Sequence, residues 1–146
     1  MSNYWLCRSC GKIYDINAIN SFQCPDVSCN SLEKSLIELD ELMLYPIKIL
    51  YEKGYVTYFS CSGHAFNNNL LTTYIVFDET YKPDSAPNNW YIEENCIRCK
   101  EIDYDSWRKM SEIKRQEIIF QRMTDLYKWV EELPICESEN LFIYGE

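Results

Sequence analysis

The chain's hydrophobic pattern changes period several times. From Leu36 to Lys53, Leu42, Pro46, Ile49 and Leu50 recur near helical spacing, and Asp40 stands where an N-cap belongs. Pro46 either kinks this helix or occupies the first turn of a shorter one. Gly54 is placed to end it in the left-handed conformation. Tyr55 to Phe59 then reads as a strand of β-branched and aromatic residues. Phe66 to Asn69 is a polar turn, after which Leu71 to Phe77 alternates and should pair beside the first strand. Tyr81 to Asn89, with Pro83 and Pro87, is a loop, and Trp90 to Ile92 with Asn95 to Ile102 predicts a hairpin around Glu93-Glu94. From Asp105 or Ser106 to Leu133 the helical period returns, with Ile119, Met123, Leu126, Val130 and Leu133 in one core stripe and Pro134 as terminator. Leu141 to Tyr144 reads as a short final strand. Together these elements predict an α+β fold, a small mainly antiparallel sheet with two main helices.

A cysteine-rich stretch precedes this pattern. Trp5 to Lys12 contains Cys7-Arg8-Ser9-Cys10-Gly11, the form of a zinc knuckle, in which two cysteines three apart are followed by a glycine that permits the tight turn. A second pair, Cys24 and Cys29, encloses a turn begun by Pro25 and is spaced more widely than an ideal ribbon. Four thiolates on two turns make a closed tetrahedral shell for a structural Zn2+, one with no open position for chemistry. Asn30 to Ser35 is a polar connection, so the expected organisation is a zinc-knuckle module over residues 1–34 and an α+β ligand-binding domain over residues 35–146.

Composition narrows the partners. At 146 residues with 47% hydrophobic content the chain can bury a core of its own, and its 15% aromatic share is enough to furnish the surface as well. The 14 basic residues are outnumbered by 23 acidic ones, for a net charge of −9, which argues against nonspecific nucleic-acid binding. A basic partner surface fits better, or a small ligand held by local groups. Eight cysteines without a secretory leader point to reduced, metal-binding thiolates, and no apolar run is long enough for a membrane; the expectation is a soluble, cytoplasmic protein.

The remaining chemistry gathers in Ser60-Cys61-Ser62-Gly63-His64, directly after a strand and holding the only histidine. A loop on a rigid strand end is a common mount for a binding site, and Gly63 allows backbone N–H groups to converge on an anion beside the serine hydroxyls. Two other readings stand beside it. One is a plain turn over a buried thiol. The other is a second zinc site formed by Cys61, His64, Cys96 and Cys99. As a nucleophile and base, Cys61 and His64 lack a nameable orienting carboxylate.

The segment Leu39-Asp40-Glu41-Leu42-Met43 through Gly54-Tyr55, followed by Phe59-Ser60-Cys61-Ser62-Gly63-His64, resembles small uncharacterised zinc-ribbon proteins of phages and Gram-positive bacteria, which share a helix, a "KGY" turn and a "SCSGH" loop. It is more distantly similar to the wybutosine-synthesis tRNA methyltransferase family, whose Ser-Ser-Cys-Ser-Gly-Arg motif also follows a strand. Phe59 stands here for the first serine of that motif and His64 for its arginine. The resemblance covers the middle of the chain and leaves the knuckles and the C-terminal helix outside. It implies a small α+β domain whose Ser60 to His64 loop engages a phosphate-bearing or nucleotide-like ligand. The expected function is therefore a non-catalytic, zinc-containing binding protein, in a phage setting one that sequesters a host immune signal. The alternatives are a methyltransferase-like enzyme acting on nucleotides or tRNA, and an acidic inhibitor that mimics nucleic acid through Glu131, Glu132, Glu137, Glu139 and Glu146.

Overall fold

Two antiparallel sheets and a long helix enclose one apolar interior in the computed structural model, which describes residues 4–15, 24–26, 28–29, 36–63 and 72–136. The first sheet has the order β2-β1-β3, with β1 at Tyr4–Cys7, β2 at Ile13–Asp15 and β3 at Leu36–Leu39. The second has the order β4-β5-β7-β6, with β4 at Thr57–Cys61, β5 at Tyr74–Phe77, β6 at Trp90–Glu93 and β7 at Cys96–Cys99. This is the α+β class that the pattern predicts.

The stretch expected to form one helix from Leu36 to Lys53 divides into three. Leu36 to Leu39 is a strand, Glu41–Met43 is a single 3-10 turn, and α1 spans Leu44–Glu52. Leu36 and Leu39 are both buried, and a separation of three is compatible with a helix face as well as with the two ends of a short strand. Tertiary pairing decides, because β1 has a second edge to fill and Leu36 to Leu39 supplies its ladder from Cys7 back to Tyr4. Pro46 consequently lies in the first turn of α1, where its missing N–H leaves no helical bond unmade. The helix ends as expected at Gly54, whose φ is 91°. The Gly54 N–H donates to Tyr51 O at 3.1 Å and the Tyr55 N–H to Leu50 O at 3.0 Å, the paired bonds of a Schellman ending, with Leu50 and Tyr55 both in the core.

Strand β4 begins two residues later than the pattern suggests and carries Cys61 within it. β5 pairs beside it, and the β6–β7 hairpin turns at Glu94-Asn95, with Glu94 at a φ of 56°. The C-terminal helical stretch is interrupted. α2 spans Tyr104–Lys109 and α3 spans Glu112–Glu132. Two caps explain the break, since Asp103 accepts from Ser106 N–H at the head of α2 and Ser111 accepts from Lys114 N–H at the head of α3. The expected stripe of Ile119, Met123, Leu126 and Val130 is buried, and Leu133 is buried just beyond the helix. Arg115 is buried as well. Its guanidinium stacks over Trp107, 5.1 Å from the ring centre, and donates to the Trp107 and Arg108 carbonyls at the end of α2. The proposed polar connection at Asn30 to Ser35, the turn at Phe66 to Asn69 and the strand at Leu141 to Tyr144 lie outside the described residues.

The N-terminal strands and the larger sheet share their interior. β3, beyond the 34/35 boundary expected from the sequence, pairs with β1, and Leu6 and Leu39 belong to the same buried cluster as Met43, Ile75 and Leu126. Lys53 ties α1 to the end of α3. Its ammonium donates to the carbonyls of Val130, Glu131 and Leu133 at 2.7, 2.9 and 2.6 Å, which satisfies the helix's unpaired C-terminal acceptors with a cation. Lys53→Met keeps most of the stem but removes the donors. It is expected to cost about 2 kcal/mol, read as a lower urea midpoint at unchanged slope.

Candidate metal centre and adjoining loop

The metal-binding geometry begins where β1 runs out. The Cys7 N–H donates to Lys12 O at 3.0 Å and the Gly11 N–H to Cys7 O at 2.8 Å, closing a tight turn that returns the chain into β2. Gly11 is required there twice over. Its φ is 77°, and a Cβ would stand 2.7 Å from Tyr51 Cδ1, inside van der Waals contact. Tyr51 fills that space and fixes the turn to the body of the protein, its hydroxyl donating to Thr57 O at 3.0 Å and accepting from Thr57 N–H at 3.3 Å.

The second turn is built on Asp26. Its carboxylate accepts from Ser28 N–H at 2.9 Å and from Ser28 Oγ at 2.8 Å, its carbonyl accepts from Cys29 N–H at 3.0 Å, and Lys12 forms an ion pair with it. The Lys12 bond, followed by those from Ser28, holds the Asp26 carboxyl down at about 2. Because the folded value is depressed, this tie between the two turns contributes fully above about pH 4 and is lost as the pH falls through about 2.

The two turns bring the four sulfurs of Cys7, Cys10, Cys24 and Cys29 within 4.8 Å of one another. Cys7 Sγ lies 3.8 Å from Cys29 Sγ, and Cys10 Sγ lies 3.8 Å from Cys24 Sγ. A tetrahedron of sulfurs about 2.3 Å from a central ion has edges of about 3.8 Å, so the spacing fits a metal at the centre. A donor set of sulfur alone, without carboxylate or imidazole, suits a thiophilic divalent cation. The chemistry of the cluster agrees. The Cys10 thiol is pushed up to about 12, chiefly by burial and further by bonds to the neighbouring sulfurs, against the Lys12 backbone bond that favours its thiolate. Cys10 therefore gives up its proton most readily when a cation is bound.

One contact at this cluster was not visible in the cysteine spacing. The Tyr14 hydroxyl stands 3.2 Å from Cys24 Sγ, placed there by the Trp5↔Tyr14 register of β1 and β2. A phenol donating to a ligating thiolate orients it and spreads its charge. Tyr14→Phe is expected to weaken metal retention about tenfold, measured as the rate of transfer to a chromophoric chelator, with the far-UV spectrum unchanged.

The loop after β4 is organised from below. Ser62 is buried, and both of its donors meet one acceptor, the Asp40 carboxylate, with N–H···Oδ2 at 2.8 Å and Oγ···Oδ2 at 3.1 Å. Thr73 Oγ1 donates to Ser62 O at 3.4 Å, and Arg122 on α3 donates to Thr73 Oγ1 at 2.7 Å and to Lys100 O at 2.7 Å. The chain therefore runs Arg122, Thr73, Ser62, Asp40, and holds the strand end against α3 and the start of the α1 segment. Asp40, expected as a helix cap, makes no capping bond with its side chain. Of the expected ligand donors, Ser62 faces inward, Gly63 is buried at a φ of 92°, Ser60 is half-buried, and His64 lies outside the described residues. The Cys61 thiol is raised by burial and by the nearby Asp40 charge, against a backbone bond from Gly63. It is a protonated thiol at neutral pH.

The three cysteines of the second zinc set are distributed over two faces, and its His64 lies outside the described residues. Cys61 and Cys96 share the outer face of the larger sheet with β5 between them, whereas Cys99 sits opposite Trp90 in the core, its thiol pushed up to about 12 by burial. Three residues apart on one strand, Cys96 and Cys99 point to opposite sides. Among the described residues, Cys7, Cys10, Cys24 and Cys29 are the one group with metal-holding geometry. No helix among them is long and apolar enough to cross a membrane. Compared with known proteins, the chain matches no family model, no curated protein and no solved structure.

Proposed function

We propose that the chain is a non-catalytic binding protein whose four-cysteine cluster holds a structural zinc ion. The observation that carries this reading is the sulfur cluster itself. A cation held by all four thiolates has no open position for water or substrate, so its contribution is to folding. The polar groups after β4 support the same reading: Ser62 and Asp40 are joined in a structural chain, and Cys61 carries a thiol that burial disfavours as a nucleophile.

The ligand proposed for the Ser60 to His64 loop is a phosphate-bearing or nucleotide-like small molecule. With the Ser62 donors taken by Asp40, such a ligand depends on Ser60 and on His64. A purified sample should contain one zinc per chain by elemental analysis, and a nucleotide panel should raise the melting temperature of the wild type. His64→Ala should remove that shift while leaving the ligand-free melting temperature in place; losing one charged hydrogen bond weakens binding about tenfold to a hundredfold. Absence of any shift across the panel, or equal binding by His64→Ala, removes the loop from the reading. Absence of zinc removes the metal. A ligand recovered chemically altered after incubation replaces binding by catalysis.

A further inference from the structure

The larger sheet has two faces of different character. Ile75, Phe77, Ile97 and Cys99 are buried on the inner one. On the outer one, register places Phe59, Tyr74, Val76, Cys96, Arg98 and Tyr91, and no described element covers them. Phe59 is 55% exposed and Tyr91 is 42% exposed. Arg98 lies between two rings, paired across the strands with Tyr74 on one side and Tyr91 on the other. Toward the β6–β7 turn the face sinks into an open depression of about 460 Å3 between Tyr74, Val76, Cys96 and Arg98, with Glu93 and Glu94 at its margin. The adjacent β6 is the outermost strand of its sheet, so among the described residues one side of its backbone ladder is unpaired by any other strand.

Rings grouped around an arginine, over a depression and beside an open strand edge, have the make-up of a docking surface. Exposed rings on a sheet also suit unstacked nucleobases, and charge separates the two. Of the residues that line the depression, Arg98 is the only cation. Its Nη1 is bonded to Glu93 at 3.2 Å and its Nη2 to Glu101 at 2.9 Å, and Lys82 reaches the margin through Asn95 at 2.8 Å, so Glu93, Glu94 and Glu101 still outnumber the nearby cations within a chain of net charge −9. A phosphodiester strand meets repulsion here, and a second copy of the chain would bring the same acidic margin against itself. A cationic partner meets attraction.

We propose that this face docks an extended, basic segment of a partner protein. An apolar or aromatic side chain of that segment occupies the depression beside Tyr74 and Val76, a neighbouring one rests on the exposed Tyr91 ring, its lysines or arginines reach Glu93 and Glu94, and its backbone runs along the open edge of β6. The depression adjoins the Ser60 to His64 loop through the Cys61↔Tyr74 pair, but no residue of that loop lines it, and docking there does not depend on what that loop binds.

The test is selection of random peptides of about a dozen residues, displayed on a carrier, against the full-length protein, with Tyr91→Ser and Glu94→Lys as counter-targets. Both substitutions fall on exposed side chains, and their melting curves serve as folding controls. The expected result is enrichment of lysine or arginine beside an aromatic or aliphatic residue, with affinity falling about tenfold on either variant and weakening as salt rises. Enriched peptides that are neutral or acidic, or that bind both variants as tightly as the wild type, overturn the proposal. So does an oligonucleotide that binds the wild type but not Tyr91→Ser, or a concentration-dependent dimer that Tyr91→Ser abolishes. Unchanged nucleotide shifts in Tyr91→Ser, beside lost peptide binding, separate this face from the loop.

Discussion

Serine at both Cys7 and Cys10 is expected to abolish zinc binding and to lower the melting temperature of the whole chain. The two remaining thiolates cannot close a tetrahedral shell, and in small zinc sites the metal's binding free energy, on the order of 10 kcal/mol, is available to folding only when the shell is complete. That is comparable with the entire net stability of an ordinary domain, about 5–15 kcal/mol. The loss should reach beyond the knuckles, because β1 supplies Leu6 to the shared core and pairs with β3, whose Leu39 lies in the same cluster. Hydrogen exchange should show protection lost first in β1, β2 and β3, and a chelator added to the wild type should reproduce the pattern. Acidification should do so too, since protons compete with the metal for sulfur as the pH falls. A doubly substituted protein that keeps one equivalent of zinc, or that melts with the parent, would refute the assignment.

What could be read from the residues follows from how local the physics is. The sulfur cluster was legible because a knuckle is a short-range device: Cys7, Cys10 and Gly11 shape their own turn, and the Cys24 to Cys29 turn is built on Asp26 within it. Gly54 was legible for the same reason, as was the buried stripe from Ile119 to Val130. Leu36 to Leu39 was not, because four residues with apolar ends satisfy either period and the choice belongs to β1, some thirty residues upstream. Ser111 could have been found: it is a serine followed by a helix-forming run, but the continuous apolar stripe obscured the cap. The Asp40 to Ser62 contact spans a separation of 22 residues, and Arg122 reaches Thr73 across 49. No local signal marks either partner. Ser62, a loop donor that looks available in the sequence, is directed inward by a residue that the same sequence offers as a helix cap.

Asp40→Ala is therefore expected to be among the most damaging single substitutions. Ser62 is only 2% exposed, so when the carboxylate is removed its N–H has no water to turn to and its hydroxyl keeps only the Gly63 carbonyl, 3.3 Å away, where each was bonded to a charged acceptor. A buried donor left unpaired costs about 1–3 kcal/mol, more when its partner was ionic, and the two bonds share one oxygen and so do not add fully. A loss of about 2–4 kcal/mol follows, a fall in melting temperature on the order of 10 °C for a chain of this size. Asp40→Asn retains an acceptor oxygen without the charge and should lose about half as much. Ser62→Ala removes one donor and leaves the N–H bond in place, so it should be milder than Asp40→Ala. In the double substitution the two losses should combine to less than their sum, which is the signature of a direct contact. The cycle also decides what Ser62 is for. If Ser62→Ala melts with the wild type and instead weakens a ligand, the hydroxyl serves the loop's outer side and the inward chain through Asp40, Thr73 and Arg122 is not what holds it.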